Sequence, residues 1–156
     1  MILASCPLGA QTGHEAGRSL LEALYRQHTH EALPEIAVTE RGKPYFPHSP
    51  LHFSISHTKK HAFCALSSRN IGIDAEELER KVDLRLAGKI LSPSEKAQFD
   101  RAEDKGRALL TFWVLKEAAV KLTGEGLRGY PNQTEFSLDD PAVRELDGCL
   151  VAILEE

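Results

Sequence analysis

The sequence predicts one domain of mixed strands and helices, with both kinds of element in each half of the chain. Short strand-like runs at 51–56, 62–67 and 71–76 follow one another around turn residues in the middle of the chain. Helical periodicity dominates on either side, at 13–28 and 105–123. At 156 residues, 42% hydrophobic and 27% charged, the chain has an ordinary globular composition. A chain of that size buries roughly 68–70% of its unfolded surface, enough for a core without staples.

In order along the chain, residues 1–7 read as a strand. Leu3-Ala4-Ser5-Cys6 has the look of a lipoprotein cleavage site, but no basic residue and too little apolar sequence precede Cys6. The helix at 13–28 gathers Ala16, Leu20, Leu21, Leu24 and Tyr25 on one face. Pro34, Gly42, Pro44, Pro47 and Pro50 then allow only loop and short strands. The strands 51–56 and 62–67 flank a turn at His57-Thr58-Lys59-Lys60. Ser92 is placed as an N-cap, with Pro93 at the first helical position and Glu95 completing a capping box. That helix should reach Phe99 or beyond, with 100–105 as a solvated connection. The last helix, 105–123, should end at Gly124 and Gly126. Two closing strands are expected at 135–138 and 149–154, around a turn near Asp139-Asp140-Pro141.

The net charge of −4 supplies no general attraction for nucleic acid or acidic lipid, so neither is an expected partner. No apolar run approaches the ~18 residues that span a membrane. Cys6, Cys64 and Cys149 are few, odd in number and free of any Cys-x-x-Cys spacing, which fits a reduced, cytoplasmic protein. Asn132-Gln133-Thr134 matches a glycosylation acceptor, a match without meaning in that compartment.

The chemistry concentrates in a few places. The helical stretch Phe112-Trp113-Val114-Leu115-Lys116-Glu117-Ala118-Ala119-Val120-Lys121-Leu122 is apolar almost all round yet carries three charges. Such a helix is buried, and buried charges are costly unless paired or bound to something charged. In the strand Gly72-Ile73-Asp74-Ala75-Glu76 the period of two sends Asp74 and Glu76 to one face. Adjacent carboxylates repel, and a hard cation between them removes the repulsion; a solvated strand end is the other reading. Phe53-Ser54-Ile55-Ser56-His57 ends a strand in a Ser-His pair, read as a strand end before a nucleophile because no supporting acid is evident. Arg41-Gly42-Lys43-Pro44-Tyr45 puts cations on a turn with accessible backbone. His48, His52, His57 and His61 invite a zinc reading, but Pro47 and Pro50 break any helix that would align them.

Taken in order, Gly42-Lys43-Pro44, Phe53-Ser54-Ile55-Ser56-His57, Ile71-Gly72-Ile73-Asp74-Ala75-Glu76 and Trp113-x-x-Lys116-Glu117-Ala118-x-x-Lys121 resemble the 4′-phosphopantetheinyl transferases of the Sfp-like class. Members of that class carry two similar halves in one chain. The resemblance implies an α+β pseudo-dimer, here with halves of about 1–68 and 69–156 in a single domain 1–156, each a small sheet backed by a helix. The site would lie in the cleft between them, and the protein would be a monomer.

The implied activity is a Mg²⁺-dependent transfer of 4′-phosphopantetheine from coenzyme A to a serine of an acyl or peptidyl carrier protein. Adenosine 3′,5′-bisphosphate is released, and fatty-acid, polyketide and nonribosomal-peptide carriers all remain open. By the same resemblance Asp74, Glu76 and Glu117 would be the metal ligands. Glu117, Lys121 and Asp74 would be catalytic, with Glu117, or a metal-bound water held by it, as base and Lys121 on the departing phosphate. Lys43, His57, Lys116, Lys121 and Arg41 would bind coenzyme A. Glu95 resembles a family acid near the metal, although its capping role is sufficient in itself. Trp113 is expected to pack rather than stack on the coenzyme, and 83–91 is expected to meet an acidic carrier helix. The alternative is a catalytically silent module that binds coenzyme A or a carrier. Unlike many members, residues 1–15 hold no Lys or Arg, so the 3′-phosphate would need Arg18, Arg26 or Arg41.

Overall fold

The computed structural model describes residues 1–125 and 134–156. Gly126, together with Asn132 and Gln133 of the acceptor pattern, lies outside the described residues. Strand β1 (Ile2–Pro7) leads into helix α1 (Gly13–Thr29), which Thr12 and Glu15 open with a capping box. Its buried face is Ala16, Gly17, Leu21, Leu24 and Tyr25. The proline-rich stretch holds only the two-residue strands β2 (Ala37–Val38) and β3 (Pro44–Tyr45), turned at Gly42 with φ +92°. The hairpin β4 (His52–His57) and β5 (His61–Ser67) follows, then β6 (Ile71–Glu77).

The second half continues with a 3₁₀ turn (Leu84–Leu86), α2 (Ala87–Ile90), α3 (Pro93–Arg101), α4 (Lys105–Thr123), β7 (Val143–Leu146) and β8 (Cys149–Glu155). Ser92 and Glu95 form the expected capping box at α3. Asp100 and Arg101 belong to α3 rather than to a solvated connection. Lys105 shortens that connection, its Nζ donating to the last carbonyls of α3, 3.0 Å from Phe99 and 2.7 Å from Asp100. The strand expected at 135–138 is absent. Its period-two pattern is there, but its amides are taken by side chains of α3: Phe136 donates to Glu95 and Leu138 to Gln98. The closing hairpin is instead made by β7 and β8, and it turns at Asp147 and Gly148, both at positive φ.

The two principal sheets are ordered β1-β5-β4 and β6-β8-β7, so each places its last strand between its first and middle ones. In each half a helix also lies between the first and middle strands of the chain order, α1 in one and α4 in the other. The sheets share a core: Phe63 and Ala65 of β5 pack with Ile71, Ile73 and Ala75 of β6 and Val151 of β8. Where the sheets meet, two serines of β4 serve the open edge of β6. The Ser54 hydroxyl accepts from the Ile73 amide and the Ser56 hydroxyl from the Ala75 amide, each at 3.1 Å. Edge amides that would otherwise be buried without partners are satisfied there.

Glycine sets how closely the helices approach. A Cβ at Gly72 would lie 2.2 Å from the Ala118 carbonyl oxygen, so α4 rests directly on the β6 backbone. A Cβ at Gly17 would meet Ile55 in the same way, α1 resting on β4.

Candidate active site

The close approach at Gly72 brings α4 over the face of β6 that carries Asp74 and Glu76. Lys121, in the last turn of α4, donates from Nζ to Asp74 Oδ1 at 2.8 Å. Ser56 donates to the same oxygen at 3.2 Å. Asp74 is 7% exposed, and its Oδ2 is buried with no hydrogen-bond partner among the described residues. Burial pushes the Asp74 carboxyl above its ordinary range; the Lys121 ammonium acts against that and the Glu76 charge adds to it. Glu117, half-buried one turn before Lys121, is raised for the same first reason, then by the Asp74 charge. These are carboxylates crowded by design of the backbone, on a strand and the helix above it.

Glu76 is turned toward Arg80, which holds it in an ion pair and lies over the Trp113 ring, 5.8 Å from its centroid. Trp113 thus packs, as expected, and steadies Arg80 as well. Among the described residues no three His, Cys, Asp or Glu side chains are gathered closely enough to hold a metal ion. The set expected from the sequence is therefore near one place but not closed around a point.

Of two cavities near these residues, one touches Lys121 and the other Glu76. The first, of ≈ 280 Å³, is lined by Arg41, Lys43, Pro44, Phe53, Ile55 and Lys121, with a predominantly apolar wall. Lys43 reaches across it from the β2–β3 turn to Asn70 Oδ1, at 2.6 Å, and to the Leu122 carbonyl, capping the end of α4. Its burial lowers the Lys43 pKa. The other cavity, of ≈ 900 Å³, is lined by His57, Lys59, Glu76, Arg80 and Lys81. His57 is exposed and lies against Gly13, where a Cβ would fall 2.2 Å from Nδ1.

Lys116 is placed elsewhere. It is 2% exposed and pairs with the fully buried Glu95 at 2.9 Å. Glu95 also accepts from the amides of Ser92, at 2.8 Å, and Phe136, at 2.9 Å. Lys116, expected to contact coenzyme A, stands in a core ion pair, and Glu95 both caps α3 and anchors two other segments. Ser56, Arg80 and Asn70 are the site residues that sequence reasoning missed. Residues 84–90 form a 3₁₀ turn and a short helix; Ile90 and Leu91 are buried and Leu84 is 45% exposed.

A family model described as the 4′-phosphopantetheinyl transferase superfamily matches residues 70–149, just over half of the sequence, spanning β6, α2, α3, α4, β7 and the start of β8. The chain belongs to that superfamily. A 4′-phosphopantetheinyl transferase of Bacillus subtilis is 36% identical over 119 residues, covering 74% of this chain and 50% of the relative. The transferase AcpT of Escherichia coli K12 is 36% identical over 70% of this chain and 56% of its own length. The transferase HetI of a Nostoc species is 38% identical over 56% of this chain and 40% of its own. This chain spans about half the length of the curated relatives it matches. The superfamily match includes Asp74, Glu76, Lys116, Glu117 and Lys121 within one aligned stretch.

Proposed function

We propose that this chain transfers the 4′-phosphopantetheine group of coenzyme A to a serine of an acyl or peptidyl carrier protein. The observation that carries this is the Asp74–Lys121 pair, with Glu76 and Glu117 nearby, one cavity at Lys121 and another at Glu76, both with cations at their walls. Superfamily membership supports the reaction type. In it, the carrier serine oxygen forms a bond to the phosphorus next to the pantetheine, and the phosphoanhydride bond to adenosine 3′,5′-bisphosphate breaks.

Glu117 takes the serine proton; a carboxyl held above its ordinary range is a better acceptor near neutrality than an exposed one. Lys121 stabilises charge on the departing phosphate. Arg41 and Lys43, beside the apolar wall of the smaller cavity, and His57, in the larger one, meet the nucleotide phosphates and base. The duplicated strand order supports reading residues 1–68 and 69–156 as related halves of one domain with the site between them. The exposed part of 84–89, with Leu84, Arg85 and Lys89, is the surface for an acidic carrier helix.

The donor set fits Mg²⁺ in kind: carboxylates only, with Asp74 Oδ2 buried and without a partner among the described residues. Asp74, Glu76 and Glu117 would hold the ion, Glu76 exchanging its partner Arg80 for it. When bound, the ion supplies neutralisation of pyrophosphate charge. The pairing of Glu76 with Arg80 favours one second reading, a silent module that binds coenzyme A without transfer. A monomer in a reduced, cytoplasmic setting completes the proposal; the three cysteines are free thiols.

The test is turnover on an apo carrier with Asp74→Ala and Lys121→Ala, each first shown folded by circular dichroism. Each is expected to lose most turnover, and near-normal turnover in either removes that residue from the mechanism. Coenzyme A binding by the wild type without any transfer would select the silent module.

A further inference from the structure

We propose that Ser56 is a positioning residue for Asp74, so that the first half of the chain sets the geometry of a carboxylate in the second. Ser56 is 4% exposed, and its hydroxyl is fully committed. It accepts from the Ala75 amide at 3.1 Å and donates to Asp74 Oδ1 at 3.2 Å. A hydroxyl has one hydrogen to give, and here the Asp74 carboxylate takes it. Lys121 donates to the same Oδ1 at 2.8 Å. With both donors on Oδ1, the carboxylate plane is fixed from two directions, and Oδ2 is the oxygen left without a partner among the described residues.

The backbone supplies a matched control. Ser54, two residues earlier on the same face of β4, makes the same amide contact, to Ile73 at 3.1 Å, and is 6% exposed. Ser54 also lines the smaller cavity, but among the described residues its hydroxyl meets no carboxylate. Both serines therefore join the halves, and only Ser56 holds Asp74. A purely structural role predicts that the two alanine variants behave alike; a positioning role predicts that they part company at the site.

The inference rests on the reading of Asp74 as a cation ligand, and the experiment separates the two. Mn²⁺ binding to the protein with coenzyme A is followed by the electron paramagnetic resonance of free Mn²⁺, against a coenzyme A blank, for wild type, Asp74→Ala, Ser54→Ala and Ser56→Ala. Melting temperatures are taken on the same samples. Both serine variants should melt lower by a similar amount, on the order of 5 °C for one lost buried acceptor in a domain this size. Ser56→Ala should bind Mn²⁺ about 10–100-fold more weakly, the usual effect of losing a group that orients a ligand, and Ser54→Ala as tightly as wild type. Equal Mn²⁺ affinity in the two serine variants overturns the positioning role and leaves the Asp74 reading intact. Equal affinity in wild type and Asp74→Ala overturns the reading itself. Should Ser56→Ala fail to fold, Ser56→Cys keeps the volume with only a weak donor and carries the same comparison.

Discussion

Gly72→Ala tests the link between the packing of α4 and the site. The added Cβ would lie 2.2 Å from the Ala118 carbonyl oxygen and 2.5 Å from the Leu122 amide nitrogen. Both are backbone atoms of a helix, so neither can rotate aside and α4 must retreat as a body. Restoring contacts near the ordinary ~3.5 Å requires a retreat of about 1 Å. The Lys121–Asp74 contact, now 2.8 Å, would open beyond hydrogen-bond length. Overpacking of this kind costs about 1–3 kcal/mol, a fall in melting temperature of roughly 3–10 °C. Misplacing a catalytic group by about 1 Å costs on the order of 100-fold in rate. Gly106→Ala, in the first turn of the same helix, is the control, because its Cβ position meets only an Asp104 oxygen at 3.7 Å, an ordinary contact. Thermal melts and single-turnover transfer check both effects. A Gly72→Ala protein that melts with the wild type and transfers at full rate would refute the claim that α4 is seated by this glycine.

Two more predictions follow from buried charge. Glu95→Leu removes the acceptor on which Lys116 and the Ser92 and Phe136 amides converge, and should cost about 3–5 kcal/mol by urea denaturation; Glu95→Leu with Lys116→Met should cost less than Glu95→Leu alone. For Glu117, burial and then the Asp74 charge hold the folded pKa above the unfolded one, so the folded protein binds more protons between those two values and loses stability as pH rises through that window. Glu117→Gln in EDTA should therefore match the wild type below the ordinary carboxylate range and exceed it at neutral pH. Denaturation midpoints across that range give the answer, and a wild type that gains on the variant with rising pH would contradict it.

What was legible in the sequence was what is local. The α3 capping box, the β4–β5 hairpin and the shared face of Asp74 and Glu76 each follow from spacings of a few residues. The need of the α4 charges for partners was legible too, but their identities were not. Glu95 meets Lys116 only because α3 and α4 fold together, 21 positions apart in sequence. Arg80 pairs with Glu76 only four positions away, a local contact that the spacing allowed, whereas its contact with Trp113 spans 33 positions and comes only with the fold. Residues 135–138 alternate like a strand, yet their amides face α3 side chains rather than another strand. β7 is a short edge strand whose two central residues, Arg144 and Glu145, are charged, which hides its pattern. The serines of β4 looked like a strand end because the edge they satisfy belongs to β6, across the boundary between the halves.

The central claim is tested most directly by the intact mass of an apo carrier protein incubated with this protein, coenzyme A and Mg²⁺, beside a Glu117→Ala control. A phosphopantetheine-sized gain on the carrier, absent with the control, is the predicted result. No gain on acyl or peptidyl carriers, despite measurable coenzyme A binding, would contradict it.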